Sequence, residues 1–477
     1  MSDAIVVGSG PNGLANAVAL AREGLAVTLL EAEDGIGGGT RSAELTLPGL
    51  VHDVCSAVHP MPVGSPFLQS LDLARHGLEW CWPEVDCAHP LDDGTAGVML
   101  RSIEETARGL GDDGAAWRRV FERPASSLDV LTEDIFRPFL QLPKHPLRLV
   151  NFGLRASAPA TVLARAWSTP QARALFGGVA AHAISSFGRP MSSSVGMALI
   201  SACHRFGWPV ARGGSQSIAD ALAAELRERG GKIETGVRVT ELPEADVVVL
   251  DLAPGAVADI AGDRLPSRVA RSYRRYKHGP GAFKVDFAVE GGVPWANEAC
   301  RRAGTVHCGG TFEELAAGER DVNRGRMPER PFVLVSQQYL ADPDRSNGDT
   351  HPVWSYAHVP NGYTRNPEAA IVDQIERFAP GFRERIVATS VRSPAELEAA
   401  NANYVGGDII TGANTPVQVL IRPRLALDPY STGIPGVFIC SAATPPGAGA
   451  HGMNGFNAAQ SALRWLSRRR EGGYPPP

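Results

Sequence analysis

The chain is poor in cysteine, with seven residues in 477 and no C-x-x-C pair. A small, odd number without such a pair argues against a disulfide framework, a zinc ribbon and a dithiol redox centre. It predicts reduced thiols in a cytoplasm-like compartment. No set of His, Cys and Asp residues has the spacing of a metal site, so we predict no metal.

Long apolar runs are also missing. No stretch approaches the roughly 18 uninterrupted apolar residues of a membrane-spanning helix. The N-terminus has no basic region before its apolar run, so we expect no secretion signal and predict a cytoplasmic protein. Apolar residues make up 44% of the chain and charged residues 20%, which is typical of globular proteins. A chain of this length is expected to form two domains.

One long stretch has no acidic residue. Between Asp134 and Asp220 the chain carries nine Arg or Lys residues, in a protein of net charge −5. These basic residues are spaced among Leu, Phe, Trp and Pro, so we expect no nucleic-acid partner. A membrane surface, an anionic substrate and an acidic partner remain alternatives. Region 135–219 is our candidate for peripheral contact with a membrane, and a solvated surface or a homodimer contact would explain it equally.

The first 31 residues have the pattern strand, Gly-rich turn, helix, strand. The apolar run Ala4 to Val7 is typical of a buried parallel strand, and Ala26 to Glu31 has the same character. The turn between them contains Gly8, Gly10, Pro11, Asn12 and Gly13.

This turn is typical of a dinucleotide site. Side chains at Gly8, Gly10 and Gly13 would obstruct the turn, the approach of a pyrophosphate and the packing of helix on strand. Glu31, 18 residues past Gly13, is placed to accept hydrogen bonds from ribose hydroxyls. The alternative is a Gly-rich turn of a different α/β fold.

Two further glycine-rich segments favour FAD over NAD as the cofactor. The segment Gly35 to Ser42 includes Gly37, Gly38 and Arg41, which would let the backbone approach the phosphates again and neutralise their charge. Pro446 to Gly455 leads directly into the last predicted helix. The positive end of that helix would stabilise negative charge at the N1/C2=O edge of a flavin. A flexible linker is the alternative for this loop.

Similar strand and helix patterns recur in the middle and at the end of the chain. After a helix that begins near Gly214 come predicted strands at Lys232 to Thr240 and Asp246 to Asp251, and a late strand spans Gly436 to Cys440. We therefore predict an α/β protein with a discontinuous, Rossmann-like FAD-binding domain and an interleaved α+β substrate domain. The FAD domain is predicted at 1–75, 205–262 and 425–477. The substrate domain is predicted at 76–204, which is helix-like and basic, and at 263–424, which has strand-like runs.

Five motifs together resemble the phytoene desaturase-like flavoproteins, in the branch related to pyridine nucleotide-disulfide oxidoreductase domain-containing protein 2. They are GSGPNGLANAVALAREGLAVTLLEAEDGIGGGTRSAEL, GWPVARGGSQSIADAL, FKVDFAVEGGVPW, FAPGFRERI and CSAATPPGAGAHGMNGFNAA. The resemblance implies an FAD domain of the amine-oxidase/glutathione-reductase type. It implies cofactor contacts at Gly8, Gly10, Gly13, Glu31, Gly38, Arg41, Val237, Gly452 and Met453, with Val237 on the strand after Gly230-Gly231. Within the same motifs we add Pro11, Asn12, Gly37 and Asn454 as candidate contacts.

Two residues are candidates for chemistry at the flavin. Lys284 is one of only four lysines and lies in an alternating strand with Asp286 on its own face. The segment resembles the amine-oxidase strand whose Lys holds a water at flavin N5, whereas a Lys–Asp pair on the wet face of a sheet is the alternative. His451 lies in the C-terminal loop and is a candidate acid or base on the substrate side, although a hydrogen bond that stabilises the loop explains it as well. His182 is predicted as a core histidine, with the substrate cavity as its alternative.

The sequence therefore predicts an FAD-dependent oxidoreductase that removes hydride from an apolar, unsaturated or alicyclic small molecule. The alternatives are an amine-oxidase-like oxidase that uses oxygen with Lys284 near N5, and a non-catalytic flavoprotein that binds lipophiles.

Overall fold

The computed structural model describes residues 2–138 and 140–471. Its strands, in chain order, are β1 (Asp3–Val7), β2 (Ala26–Leu30), β3 (Ser42–Glu44), β4 (Val51–Asp53), β5 (Trp80–Cys81), β6 (Val85–Pro90), β7 (Ala96–Met99), β8 (Val210–Ala211), β9 (Lys232–Glu234), β10 (Val247–Leu250), β11 (Gly281–Glu290), β12 (Ala303–Cys308), β13 (Val333–Ser336), β14 (Thr350–Val359), β15 (Ile386–Arg392) and β16 (Val437–Ile439).

The α-helices, in chain order, are α1 (Pro11–Arg22), α2 (Pro60–Val63), α3 (Pro66–Gln69), α4 (Ile103–Gly109), α5 (Gly114–Ser126), α6 (Leu128–Ile135), α7 (Pro146–Ala156), α8 (Ala160–Leu163), α9 (Pro170–Ala180), α10 (Ser194–Phe206), α11 (Gln216–Glu228), α12 (Pro254–Ala261), α13 (Ser267–Arg274), α14 (Glu298–Arg302), α15 (Phe312–Val322), α16 (Glu368–Glu376), α17 (Pro394–Ala400), α18 (Pro416–Leu420) and α19 (Met453–Arg470). No helix in the described ranges is both long enough and apolar enough to cross a membrane.

A five-stranded parallel sheet in the order β16-β10-β1-β2-β9 draws on the beginning, middle and end of the chain. Its central strands are short Val- and Leu-rich runs because both of their faces are buried. Helices α1, α11 and α19 pack together on one face, and α12 and α13 cover the other. The three predicted segments of the FAD domain thus contribute to one sheet, while the segment boundaries themselves stay a prediction.

The second sheet has seven strands in the order β15-β11-β14-β13-β12-β6-β7. All of its pairs are antiparallel except β12 with β6. The predicted alternation of β11 is present, since Phe283, Val285 and Phe287 enter the apolar core on one side. Strands β6 and β7 correct the helix-like description of 76–204, because 85–90 and 96–99 pair into this sheet before the helices begin.

One predicted strand is shorter than expected. The alternation from Lys232 to Thr240 predicted a single strand, but β9 ends at Glu234. Gly236 follows with a φ of +72°, which turns the chain away from the sheet. Val237 therefore lies beyond the strand on which it was predicted.

Arg345 links the β3–β4 hairpin to the segment that precedes β14 through a buried cluster of charges. Its Nη1 donates to Asp53 Oδ2 at 2.7 Å and its Nε donates to Asp342 Oδ2 at 2.9 Å. Burial raises the pKa of Asp53, but the Arg345 charge and the Ser215 N–H outweigh it, so the pKa lies below its ordinary value. The cluster fixes β4, beside the first sheet, against the segment that precedes β14.

Candidate functional site

The glycine turn between β1 and α1 has no room for side chains. A Cβ at Gly13 would lie 1.9 Å from the Gly8 carbonyl oxygen, and one at Gly10 would lie 2.8 Å from Asp251 Oδ2. Pro11 occupies the first turn of α1, where its missing N–H costs nothing, and the Asn12 side chain is buried. The N-terminus of α1 is therefore open to a phosphate at close range.

Glu31 lies directly after β2, as the dinucleotide motif predicts. Its Oε2 accepts the Ser9 N–H at 2.9 Å and its Oε1 accepts the Glu33 N–H at 3.0 Å. These bonds fix the carboxylate beside the glycine turn, where a ribose would lie. The Val237 N–H donates to the Glu31 carbonyl at 2.8 Å, so Val237 borders the same end of the site.

The second glycine segment folds against the first. The Gly37 N–H donates to the Ser9 carbonyl at 3.0 Å, and a Cβ at Gly38 would lie 3.0 Å from Gly10 Cα. Arg41 donates to the carbonyl oxygens of Gly38 and Ala400, so its guanidinium links this segment to the end of α17.

Asp251 is a site residue that sequence reasoning missed. It follows β10, and its Oδ2 accepts the Gly13 N–H at 2.9 Å, at the helix terminus that would face a pyrophosphate. Burial raises the pKa of Asp251 to about 7, with Glu31 raising it further and the Gly13 N–H opposing. A partly protonated carboxyl reduces repulsion of a phosphate at this position. The acid directly after the run Val247 to Leu250 was the available signal.

The C-terminal loop packs onto the same helix. A Cβ at Gly455 would lie 1.9 Å from the Asn12 carbonyl oxygen, and Asn16 Nδ2 donates to the Gly455 carbonyl at 2.9 Å. Gly452 caps α19 with a φ of +68°, and a Cβ there would lie 2.8 Å from Ala15 Cβ. The start of α19 is therefore held directly against α1.

The predicted loop residues take different positions. The Met453 N–H donates to His451 Nδ1 at 3.1 Å, and the Asn454 side chain donates to the Thr444 carbonyl at 2.8 Å. Asn454 thus holds the loop in shape. His451 lines the cavity described next and packs against Phe136. Burial lowers the pKa of His451 to about 4, so the ring is neutral near pH 7.

A cavity of about 910 Å³ begins at these loops. Gly10, Asn12 and Thr40 line one end of it, together with the loop 445–451. Its remaining walls are mostly apolar and come from α7, α10 and the seven-stranded sheet. The glycine cradles and the size of this space fit a dinucleotide with a flat ring system, and the space continues beyond the loops toward α7.

Lys284 is buried, which corrects the expectation of a wet face. Its Nζ donates to Asp286 Oδ2, and Asp286 Oδ1 lies 3.5 Å from His52 Nδ1 on β4. Burial lowers the pKa of Lys284, opposed by Asp286. The ammonium lies 5.6 Å from the centroid of the Trp354 ring, and Lys284 projects to the same face of the sheet as Trp354 and Tyr356, which both line the cavity.

His182, predicted as a core residue, also lines the cavity.

Outside the cavity, one group of possible metal ligands comes together in the described ranges: His76, Glu225 and Glu228. Arg75 and Arg229 already donate to these carboxylates, so positive charge is present there and opposes a cation. All seven cysteines lie within the described ranges and are buried and unpaired.

Comparison with known proteins agrees with this geometry. The family described as NAD(P)-binding Rossmann-like domain matches residues 6–71. Pyridine nucleotide-disulfide oxidoreductase domain-containing protein 2 of Mus musculus is 23% identical over 97% of this chain and 94% of its own length. A hydroxyneurosporene desaturase of Cereibacter sphaeroides is 26% identical, with 98% of both chains covered. A solved putrescine oxidase has a TM-score of 0.61 at 17% identity and covers 98% of this chain and 99% of its own.

These findings confirm the resemblance to the desaturase-like flavoproteins and the mixed α/β fold with a Rossmann-like domain. The matched family and the relatives support an oxidoreductase of the FAD type, as the motifs predicted. The likeness to putrescine oxidase is one of fold.

Proposed function

We propose that this enzyme removes a hydride from a lipophilic small molecule that binds in the 910 Å³ cavity, in a reaction like that of the desaturases. One observation carries the proposal: a single cavity runs from the two dinucleotide loops to an apolar opening. When bound, FAD supplies the hydride acceptor, N5, and passes the electrons on. The mainly apolar walls exclude water and favour an apolar substrate by burying its surface.

The chain's own residues bind and orient the two molecules in this proposal. Glu31 holds the ribose end, the glycine turn at the N-terminus of α1 holds the phosphates, and the N-terminus of α19 faces the ring system. His451, neutral and on the cavity wall, accepts the Met453 N–H on one ring nitrogen and leaves the other toward the substrate.

The second candidate function is an oxidase that uses oxygen, favoured by the position of Lys284 beside Trp354 on the face of the sheet that borders the cavity. Replacing Lys284 by Met would leave Asp286 as an unpaired buried carboxylate, which costs about 3–5 kcal/mol of folding free energy. Lys284→Arg keeps the positive charge beside Asp286 and removes only the primary amine, so it is the better test.

Electron transfer from the photoreduced protein distinguishes these functions. Under the proposal, a lipophilic quinone reoxidises the flavin much faster than oxygen does, and Lys284→Arg reoxidises at a rate within about threefold of wild type. An oxidase would instead release hydrogen peroxide, with a loss of roughly tenfold or more in Lys284→Arg. Flavin that transfers electrons to neither acceptor would contradict an enzyme and favour a lipophile-binding flavoprotein.

The cavity opens at a surface suited to a membrane. Helix α7 buries only Phe152 and Ala156 of its eleven residues. The exposed apolar side chains Leu142, Leu147, Val150 and Leu154 form what we call the mouth surface, and all but Leu147 also line the cavity. Leu142 is 90% and Leu147 87% exposed. Arg148 is exposed between them, so the mouth surface offers both apolar contact and positive charge to an anionic lipid layer.

Wild-type protein is expected to co-sediment with phosphatidylglycerol vesicles at low salt, and less so at high salt. Leu142→Glu/Leu147→Glu should weaken this binding roughly 100-fold or more, because each buried Leu contributes about 1.5–3 kcal/mol and two are lost. Val387→Glu, at an exposed Val of β15, is the matched control and should bind like wild type. Absence of binding at low salt would contradict the membrane contact. If sedimentation velocity shows a dimer for wild type and a monomer for the double variant, the mouth surface is instead a contact with a second copy of the chain.

A further inference from the structure

The face of the seven-stranded sheet that borders the cavity carries two polar side chains without partners. Thr305 on β12 and Trp354 on β14 both line the cavity and are both buried. Neither Thr305 Oγ1 nor Trp354 Nε1 has a hydrogen-bond partner among residues 2–138 and 140–471. Buried polar groups are nearly always paired, so two such groups on one wall point to a partner that binds there.

The register of the sheet places the two groups in one row. Thr305 pairs with Ser336 on β13, and Ser336 pairs with Trp354. Residues directly opposite each other in neighbouring strands project to the same face. The Thr305 hydroxyl and the Trp354 indole therefore belong to the same wall, with Ser336 between them.

His182 adds a third polar group to this wall. Its Nε2 lies 2.9 Å from Nε2 of His307, and His307 Nδ1 lies 3.3 Å from Cys87 Sγ. His307 is two residues from Thr305 and faces the same side of β12. Gly178 on α9 makes room for this pair, because a Cβ there would lie 2.8 Å from His307 Nδ1.

The pairing of the two imidazoles leaves His182 adaptable. A neutral imidazole has one donor and one acceptor nitrogen, and burial lowers the pKa values of both rings. If the shared proton is on His182 Nε2, its Nδ1 is an acceptor, and His307 donates to Cys87. If the proton is on His307 Nε2, His182 Nδ1 is a donor, and the Cys87 thiol donates to His307. His182 can therefore meet either a hydroxyl or a carbonyl group.

We infer that this polar wall, formed by Thr305, Trp354 and His182, binds a neutral oxygen function of the substrate, so that the substrate is a lipophilic alcohol or ketone rather than a hydrocarbon. The inference rests on the proposed function, which places a lipophile in this cavity. An indole N–H only donates, so it requires an acceptor such as a hydroxyl or carbonyl oxygen. A charged group is disfavoured because Lys284, the cation beside Trp354, is already paired with Asp286.

Binding of matched probes to the flavin-loaded protein tests this inference. Farnesol, farnesal and farnesene share an isoprenoid skeleton and differ in the oxygen function, and their affinities can be measured by perturbation of the flavin spectrum. Farnesol and farnesal are expected to bind about 10- to 100-fold more tightly than farnesene. This ratio corresponds to the binding free energy that two or three neutral hydrogen bonds contribute. In Thr305→Val/Trp354→Phe this preference should fall to about threefold or less, with farnesene affinity unchanged.

Trp167→Phe is the matched control. Trp167 Nε1 is also buried without a partner among the described residues, but Trp167 does not line the cavity, so this variant should keep the full preference. Equal binding of farnesol and farnesene would overturn the inference, and would indicate that ordered water satisfies the wall. A preference that survives the double variant would overturn it as well. Failure of all three probes to bind would overturn the lipophilic substrate of the proposed function, and the inference with it.

Discussion

Gly13→Ala is expected to yield a folded protein that has lost FAD. The added Cβ would lie 1.9 Å from the Gly8 carbonyl oxygen, so the turn and the start of α1 must move apart by more than an ångström. That movement displaces the N–H groups that approach the pyrophosphate, and we expect FAD affinity to fall roughly 100-fold or more. Titration of the apoprotein with FAD, followed by flavin fluorescence, measures the loss, and circular dichroism checks the fold.

Substitutions at two further glycines provide a control and a comparison for this result. Gly318 lies in α15 with no atom within 4 Å of an added Cβ, so Gly318→Ala should bind FAD like wild type. At Gly10 an added Cβ would approach only the movable Asp251 side chain, so Gly10→Ala should fold normally and lose less affinity than Gly13→Ala. A Gly13→Ala protein with full FAD affinity would show that the turn does not hold the cofactor.

The protein is expected to lose stability steeply below pH 6.5. Burial lowers the pKa values of seven histidines: to about 4 for His59, His89, His204 and His451, to about 3 for His182, well below the ordinary value for His307, and also for His351. Their unfolded pKa is about 6.5. Between these values the unfolded chain binds more protons, so the stabilisation by neutral histidines is present above pH 6.5 and is lost as the pH falls toward 4.

Two buried carboxyls act in the opposite direction. Burial raises the pKa of Asp86 to about 6 and that of Asp251 to about 7, so each favours the folded state at acidic pH and loses that contribution as the pH rises. The six histidines with the largest shifts against two acids leave a net difference of about four protons near pH 5. The free energy of unfolding should therefore fall by about 5 kcal/mol per pH unit there.

Urea unfolding at pH 5 to 8 measures this slope. His204→Gln provides the control, because Gln does not titrate and offers both an acceptor for Trp117 Nε1 and a donor for the Leu100 carbonyl. It should reduce the slope by about 1.4 kcal/mol per pH unit. A free energy of unfolding that is flat from pH 5 to 7 would contradict the burial of neutral histidines.

Local backbone requirements made the dinucleotide turn predictable from the sequence. Gly13 is required by its contact with the Gly8 carbonyl oxygen and Gly8 by its own φ of +99°, and Glu31 follows at a spacing set by one helix. The role of Asp251 was not predictable in this way, because its bond to Gly13 joins residues 238 positions apart.

The second sheet shows the same limit. Alternation correctly separated Phe283, Val285 and Phe287 from Lys284, but a two-residue period does not tell which face meets water. The position of β4 decides it, since His52 lies over the polar face beside Asp286. His182 was misassigned for a related reason: its run of small residues indicates close packing, and only the distant His307 and the cavity show what its ring meets.

The visible spectrum of the purified wild-type protein, with release and quantification of the bound chromophore, tests the central claim most directly. Because segments from the start, middle and end of the chain meet around Gly13, Asp251 and Gly455, we expect a yellow protein that releases one FAD per chain. A folded, colourless protein that takes up no FAD when the cofactor is added in excess would contradict the account.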